Sequence, residues 1–557
     1  MYIKRTVHKD VLVVGSGLSG IRVTKELAEK GHEVLMATKT HLASGSSFFP
    51  LKASLGTQVT KSIEDRRVFY EDIEKMSRGM HDKKLAETYI DEISEAVSKY
   101  ENIGVKANKL EDERKACFAD HPRDIYLLQD WTGTRKNVER IFESFDSIEL
   151  MTKTVVTTLI IKNGKVSGAV LIDHNNEFVH VSCGAVILCT GGFGNIFKHN
   201  LNPNDVDGSG HILALDAGAE LVNMEFIQFI PGITTPKYKT LFGEHTLKYC
   251  NDIVDDSGES IVDDWLPAGM SRGKLMSIRS THGPFTHSLE SRYFDISMMH
   301  KIIEDKNEDG FSLIFDEKLY KTGDQFYHVY LDWLKQQGID MIRDDVKIAP
   351  FAHASNGGVS IDVDGCTGVE GLYAIGELSC NVEGANRLGG NSTGACMVFG
   401  KRAAVHCNEY LNYSSTNSSI LDAEKALLSF SGKDDNHEPS GESLKPNQVI
   451  KEVQEIMWYH ANIVRSEEGL KTALLKVDNL SRKFEATSII ETENKKTAVK
   501  AVNFLRLSKI LLNAMLKRRE SRGAHYRMDH PNELSEYSKK IKVKLNEVST
   551  INYRFSE

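Results

Sequence analysis

Six residues, Gly15-Ser16-Gly17-Leu18-Ser19-Gly20, follow directly on the apolar run Val11-Leu12-Val13-Val14. Glycines at the first, third and sixth places suit a turn that holds a dinucleotide pyrophosphate. Gly15 permits the tight turn, Gly17 lets backbone N–H groups approach the anion, and Gly20 lets a helix pack closely on a strand. The flanks fit that chemistry. The run before is branched and continuous, as in a strand buried on both faces, and a helical pattern with Ile21, Val23, Leu27 and Ala28 comes after. A second strand, Glu33-Val34-Leu35-Met36-Ala37, arrives on schedule, yet Ala37-Thr38-Lys39 stands where an acid would hold a ribose hydroxyl. The bland alternative is a strand–turn–helix unit without a ligand. Two distant segments repeat the theme: Ala185-Val186-Ile187-Leu188-Cys189 ends in Thr190-Gly191-Gly192, and Gly371-Leu372-Tyr373-Ala374-Ile375 ends in Gly376-Glu377. Glycine-rich turns at strand ends are where open α/β sheets bind ligands, so three of them favour one long cofactor threaded across a discontinuous domain.

Composition sets the frame for these residues. The chain has 557 residues, 69 basic against 78 acidic, a formal charge of −9. Hydrophobic residues make up 40% and charged residues 26%, which excludes whole-chain disorder, collagen and disulfide scaffolds. The acidic balance, with no basic block, argues against nucleic acid as the main partner. The eight cysteines form no CxxC pair, so neither iron–sulfur nor haem ligands are written here, and no metal site is expected. No apolar stretch is long enough to span a bilayer, and MYIKRTVHKD leaves no room for a secretory segment. These features read as a cytoplasmic protein, peripheral to a membrane at most through a partner.

Further blocks bring a family into view. They are Ser44-Gly45-Ser46-Ser47, then Asn223-Met224-Glu225-Phe226-Ile227-Gln228-Phe229, then PFAHASNGGV with His353. GLYAIGE, Gly384-Ala385-Asn386-Arg387-Leu388-Gly389-Gly390-Asn391-Ser392 and Glu520-Ser521-Arg522-Gly523-Ala524-His525-Tyr526-Arg527 complete the series. In this order, over most of its length, the chain resembles the flavoprotein subunits of succinate dehydrogenase and fumarate reductase, together with L-aspartate oxidase. The resemblance implies FAD, lined by Gly15, Gly17, Gly20, Lys39, Ser46, Ser47, Gly191, Gly192, Glu377, Asn391 and Ser392. Respiratory members attach their flavin through the histidine of a Ser-His-Thr triplet. Gly45-Ser46-Ser47 stands here instead, so non-covalent FAD is expected.

The family's shared chemistry is hydride transfer between the flavin and a carbon near a carboxylate, with the protein orienting and polarising the substrate. By resemblance, Arg387 grips the carboxylate, His353 hydrogen-bonds the substrate's other end, and Arg279, in the mobile domain, is the proton donor. Structural alternatives stay open: an ion pair for Arg387, a core histidine for His353, a surface cation for Arg279. The departures are as informative. Ile230-Pro231-Gly232 replaces His-Pro-Thr, and no Arg-Gly-Glu-Gly appears around Lys248-Tyr249-Cys250-Asn251. Lys52-Ala53 replaces a Gly-Gly beside the flavin, Gly208-Ser209-Gly210 replaces Gly-Asp-Gly, and Glu383 replaces a histidine. Fewer polar partners argue against a second buried carboxylate. The expected reaction is therefore reduction of an unsaturated carboxylate other than fumarate. An L-aspartate oxidase-like enzyme and an inactive subunit serving assembly or electron relay are the alternatives.

The same landmarks divide the chain. The expected fold is α/β: a Rossmann-like FAD-binding domain (1–232 and 345–415), an inserted α+β capping domain (233–344) and a C-terminal helical domain (446–557). Residues 416–445, with the polar stretch Ser431 to Gly441, read as a linker. Apolar residues at helical spacing (Val449, Val453, Ile456, Met457; Phe504, Leu505, Ile510, Leu511) carry the last domain, and a strand is expected over 540–545. Arg519, Arg522 and Arg527 form either a docking patch for an iron–sulfur or other electron-transfer subunit, or an internal charge network.

Overall fold

The computed structural model describes residues 2–52, 55–380, 382–414, 417–431, 444–484, 492–546 and 550–556. Its organising element is a parallel five-stranded sheet. The strand order is Leu372–Ala374, Ala185–Leu188, Val11–Val14, Val34–Ala37 and Ile148–Met151. Because side chains alternate across a strand, one strand feeds two cores. Val11, Val13, Ala185 and Ile187 pack under the helices Leu18–Glu29 and Asn391–Leu411. Leu12, Val14, Val186 and Leu188 face the opposite layer, with Leu159, Leu171 and Val181 from the sheet of strands Val155–Lys162, Lys165–Ile172, Phe178–Ser182 and Ile3–His8. Burial on both faces explains the unbroken apolar runs. It also makes the three distant glycine-rich turns neighbours, since their strands are adjacent in the sheet.

The insertion leaves and re-enters through a pair of long antiparallel strands, Ile227–Thr235 and Lys347–Ser355. The expected boundary at 232/233 therefore falls inside the first strand, and that at 344/345 lies just ahead of the second. Beyond the joint, Thr240–Leu241, Cys250–Val254 and Phe311–Phe315 widen the sheet, and helices Arg272–Arg279, Arg292–Asp305 and Gln325–Gln336 accompany it.

One reading of the C-terminal third needs correction. Residues Ile420–Ser431 are a helix, not linker; its buried Ala423 and Leu427 pack on Val155, Ile160 and Val170. The stretch from Ser431 to Gly441 lies, apart from Ser431, outside the described residues. The expected helices Pro446–His460, Glu467–Lys483 and Lys495–Lys517 are present and share a core through Val449, Val453, Leu470, Ala473, Phe504 and Leu511. The anticipated strand, Ile541–Leu545, pairs with Ile551–Phe555 and with Leu221–Val222 of the FAD-domain segment.

The arginine-rich segment is an internal network. Arg518 and Glu520, both fully buried, pair at 2.8 Å, and Arg518 also reaches Glu225 at 2.6 Å. Arg522 chelates Glu520 at 2.7 and 2.9 Å and Arg527 chelates Asp529 at 2.8 and 2.7 Å, while Arg519 alone of the three arginines faces solvent. Removing one partner leaves a buried charge uncompensated, at about 3–5 kcal/mol. Glu520→Gln is therefore expected to lose that much apparent stability in a urea melt followed by circular dichroism. Arg519→Gln should stay within about 0.5 kcal/mol of the parent.

Candidate active site

A cavity of about 330 Å³ opens along the carboxyl ends of the parallel sheet and reaches the strands that join the insertion. Gly15, Ser16, Gly17 and Leu18 line one part, Gly191, Asp205 and Glu377 another, and Gln228, Ile230, His353 and Arg387 a third. Gly15 has φ 108° and a Cβ there would meet the Cys189 carbonyl oxygen at 2.4 Å, so only glycine fits. Gly17 differs: an added Cβ would find nothing nearer than Ser44 O at 3.7 Å, which leaves that face open to a ligand. Gly17 caps the helix Leu18–Glu29 without a side-chain cap, and Ser47 Oγ lies 3.4 Å from the Leu18 amide of the first turn. That is a cradle for a diphosphate. Thr190 Oγ1 and Asp205 Oδ1, on lining residues, are buried without a partner, as groups awaiting a polar ligand would be.

The far end is built for an anion. Arg387 donates to Ser392 Oγ at 2.6 Å and lies 3.4 Å from His353 Nε2. A guanidinium only donates, so Nε2 accepts and the ring proton sits on Nδ1, which is buried and unpartnered. Burial, then the charges of Lys52 and Arg387, hold His353 well below its ordinary pKa and therefore neutral. Gln228 donates to Asn386 Oδ1 at 2.6 Å, and Asn386 donates to Phe285 O at 3.1 Å, which ties the Arg387 loop to both domains. Glu377 accepts from the Ser355 amide at 3.0 Å and its hydroxyl at 3.3 Å.

A model described as "FAD binding domain" matches residues 10–393, and one described as "Fumarate reductase flavoprotein C-term" matches 450–554. The chain belongs to the fumarate reductase and succinate dehydrogenase flavoprotein family. Among its relatives, a subunit of the CoM/CoB fumarate reductase of Methanothermobacter marburgensis is 27% identical over 96% of this chain and 96% of its own. L-aspartate oxidase of Pyrococcus furiosus is 27% identical over 95% of this chain and 97% of its own. The FrdA chain of E. coli quinol fumarate reductase superposes with a TM-score of 0.80 at 20% identity, covering 99% of this chain and 97% of that one, which speaks to the fold.

This flavoprotein is thus an FAD-dependent oxidoreductase, and the residues expected at its cofactor sort into two groups. Gly15, Gly17, Lys39, Ser46, Ser47, Gly191, Glu377 and Ser392 line the cavity; Gly20, Gly192 and Asn391 stand behind it. Gly20 brings helix onto turn, for its Cβ would lie 2.0 Å from Gly15 O. Gly192 leaves room for the Glu377 carboxylate, and Asn391 Oδ1 accepts from Gln58 at 3.2 Å. Lys39, where an acid is usual, is bound to Asp207 at 2.5 Å and Ser209 Oγ at 2.7 Å.

The structure does not bring Arg279 to the cavity. It is wholly buried, chelates Asp295 at 2.8 and 3.0 Å, and donates to the carbonyls of His282 and Gly283. With its guanidinium committed, Arg279 shapes the Gly283-Pro284 wall rather than facing a ligand. His282 and His287 are likewise structural: His282 bonds Pro284 O and Ser291 Oγ, and His287 stacks on Tyr526. In place of Arg279 the cavity is met by Lys52, Cys117 and Glu244. Burial pushes Glu244 up toward its neutral form, against the pull of Arg279. Its signal was the Gly243-Glu244 pair, which lies a few residues ahead of the window where Arg-Gly-Glu-Gly was expected. Cys117, whose Sγ accepts from the Gly283 amide at 3.3 Å, carried no sequence signal.

Proposed function

We propose that this flavoprotein reduces the double bond of an unsaturated monocarboxylate, with Arg387 holding the carboxylate and neutral His353 donating from Nδ1 to the substrate. The observation that carries this reading is the Arg387–His353 pair, 3.4 Å apart in the cavity, beside Ile230 where a dicarboxylate enzyme has a histidine. Isoleucine offers no hydrogen bond, so a second carboxylate near it would be buried without a partner. Bound FAD would supply the hydride for one carbon of the double bond, and the other carbon would take its proton from solvent, since Arg279 is committed to Asp295. The test is to photoreduce the flavin anaerobically and scan carboxylates for reoxidation. Short enoates with an alkyl tail should reoxidise it, and brisk turnover of fumarate would overturn the proposal.

The amino-acid oxidase reading fits less well. An L-aspartate ammonium would enter a cavity that already holds Lys52 and Arg387. Peroxide release on aerobic mixing with L-aspartate would reverse that judgement. A role in assembly alone fits less well still, since one cavity joins the glycine cradle to Arg387.

We further propose that FAD is held without a covalent bond and that an iron–sulfur or other electron-transfer subunit exchanges electrons with it in the cytoplasm. No histidine lies among Gly45, Ser46 and Ser47, and Ser46 Oγ is already engaged with Asn202 at 2.8 Å. Acid precipitation should leave a colourless pellet under a yellow supernatant. The described residues contain no helix long and apolar enough to cross a membrane.

A further inference from the structure

Lys52 is the cation that the family pattern does not foresee. It stands where the family has glycine, is 4% exposed, and lines the cavity. Among the described residues its Nζ has neither a hydrogen bond nor a carboxylate partner. Arg387 likewise has no carboxylate partner there; its contacts are Ser392 and His353. Two buried or half-buried cations left unpaired in one cavity call for an anion from outside.

The charge balance sets how much anion. Lys52 and Arg387 contribute two positive charges and Glu377 one negative. Around them, burial holds His353 far below its ordinary value, raises the Cys117 thiol to about 12 and shifts Glu244 upward, against its backbone hydrogen bond and the charge of Arg279. The two cations outnumber Glu377, the carboxylate counted with them. We propose that Lys52 is a second anchor for the substrate anion, sharing a single carboxylate with Arg387, so that the site selects a monocarboxylate over a dicarboxylate. This rests on the carboxylate-site reading above and deepens it. Leu55, Ile230, Leu241 and Pro284 line the same cavity, walls that suit an alkyl tail and would leave a second carboxylate without a partner.

Lys52 also makes binding depend on pH. Burial lowers it to about 8, with Glu377 opposing and Arg387 and Lys239 assisting. The ammonium is present below that pH and lost above it.

The test titrates FAD-loaded protein with butyrate and with succinate between pH 6.5 and 9.5, following the flavin difference spectrum. Butyrate should bind more tightly than succinate, with affinity falling about tenfold per pH unit above about pH 8. Lys52→Met should weaken butyrate about 10–100-fold and flatten the pH dependence. Lys52→Arg should keep the affinity and lose the pH dependence, and it serves if the methionine variant fails to hold flavin. Parental affinity and pH slope in Lys52→Met, or pH-dependent loss in Lys52→Arg, would overturn the role of Lys52 while leaving Arg387 in place. Tighter succinate binding would overturn the single-carboxylate claim. If Arg387→Gln and Lys52→Met both bind butyrate as the parent does, the carboxylate-site reading itself falls.

Discussion

Arg387→Met is expected to lower kcat/KM for the carboxylate that reoxidises the flavin by about a thousandfold, the equivalent of about 4 kcal/mol. The side chains are similar in length, so the cavity keeps its shape while the anion loses its two-pronged partner. The loss should exceed that of an ordinary hydrogen bond because the group is enclosed: Ser392 and His353 flank it, and the Asn386 side chain fixes its backbone at 2.9 Å. Arg387→Lys should recover only part of the rate, since an ammonium keeps the charge but not the planar fork. Steady-state rates normalised to flavin content check this. An unchanged kcat/KM in Arg387→Met would remove Arg387 from substrate binding.

Gly20→Val should weaken FAD binding by about 10–100-fold, from about 1–3 kcal/mol of overpacking strain in the turn. A side chain there would meet backbone, the Gly15 carbonyl oxygen at 2.0 Å, so no rotamer relieves the clash. Gly17→Ala is the informative contrast. The protein alone tolerates that methyl, whose nearest neighbour is 3.7 Å away, so flavin loss there would report the ligand's approach and not the fold. Flavin fluorescence after ultrafiltration, with circular dichroism on the same samples, separates the two cases. If both variants retained FAD with parental affinity, the cradle would lie elsewhere.

Much of the frame was legible because local patterns carried it. A buried parallel strand has to be apolar throughout, and a turn against a carbonyl has to be glycine, so Val11–Val14 with Gly15 declared itself. The helices after 446 showed in their periodicity for the same reason. The linker reading failed at 420–431, where Ile420, Ala423, Leu427 and Phe430 do stand at helical spacing and pack on the strands beneath; the polar stretch from Ser431 onward had outweighed them.

At the candidate site the division is sharper. Arg387 and His353 sit in long motifs that marked both, but at opposite ends of a substrate; neither their 3.4 Å contact nor the fate of Arg279 could be anticipated. Its sequence neighbourhood says nothing of Asp295, sixteen residues away, whose carboxylate and two nearby carbonyls occupy the guanidinium. Lys52 is the converse, visible in sequence as a missing glycine but not as a buried cation lining the cavity. The sequence by itself determined the family and marked the glycine-rich turn and the residues expected to meet a cofactor or a carboxylate, because these depend on residue type and spacing along the chain. Only the tertiary structure decided which charges are already neutralised and which remain free for a ligand, because the interaction of buried charges depends on separation in space and on exclusion of water.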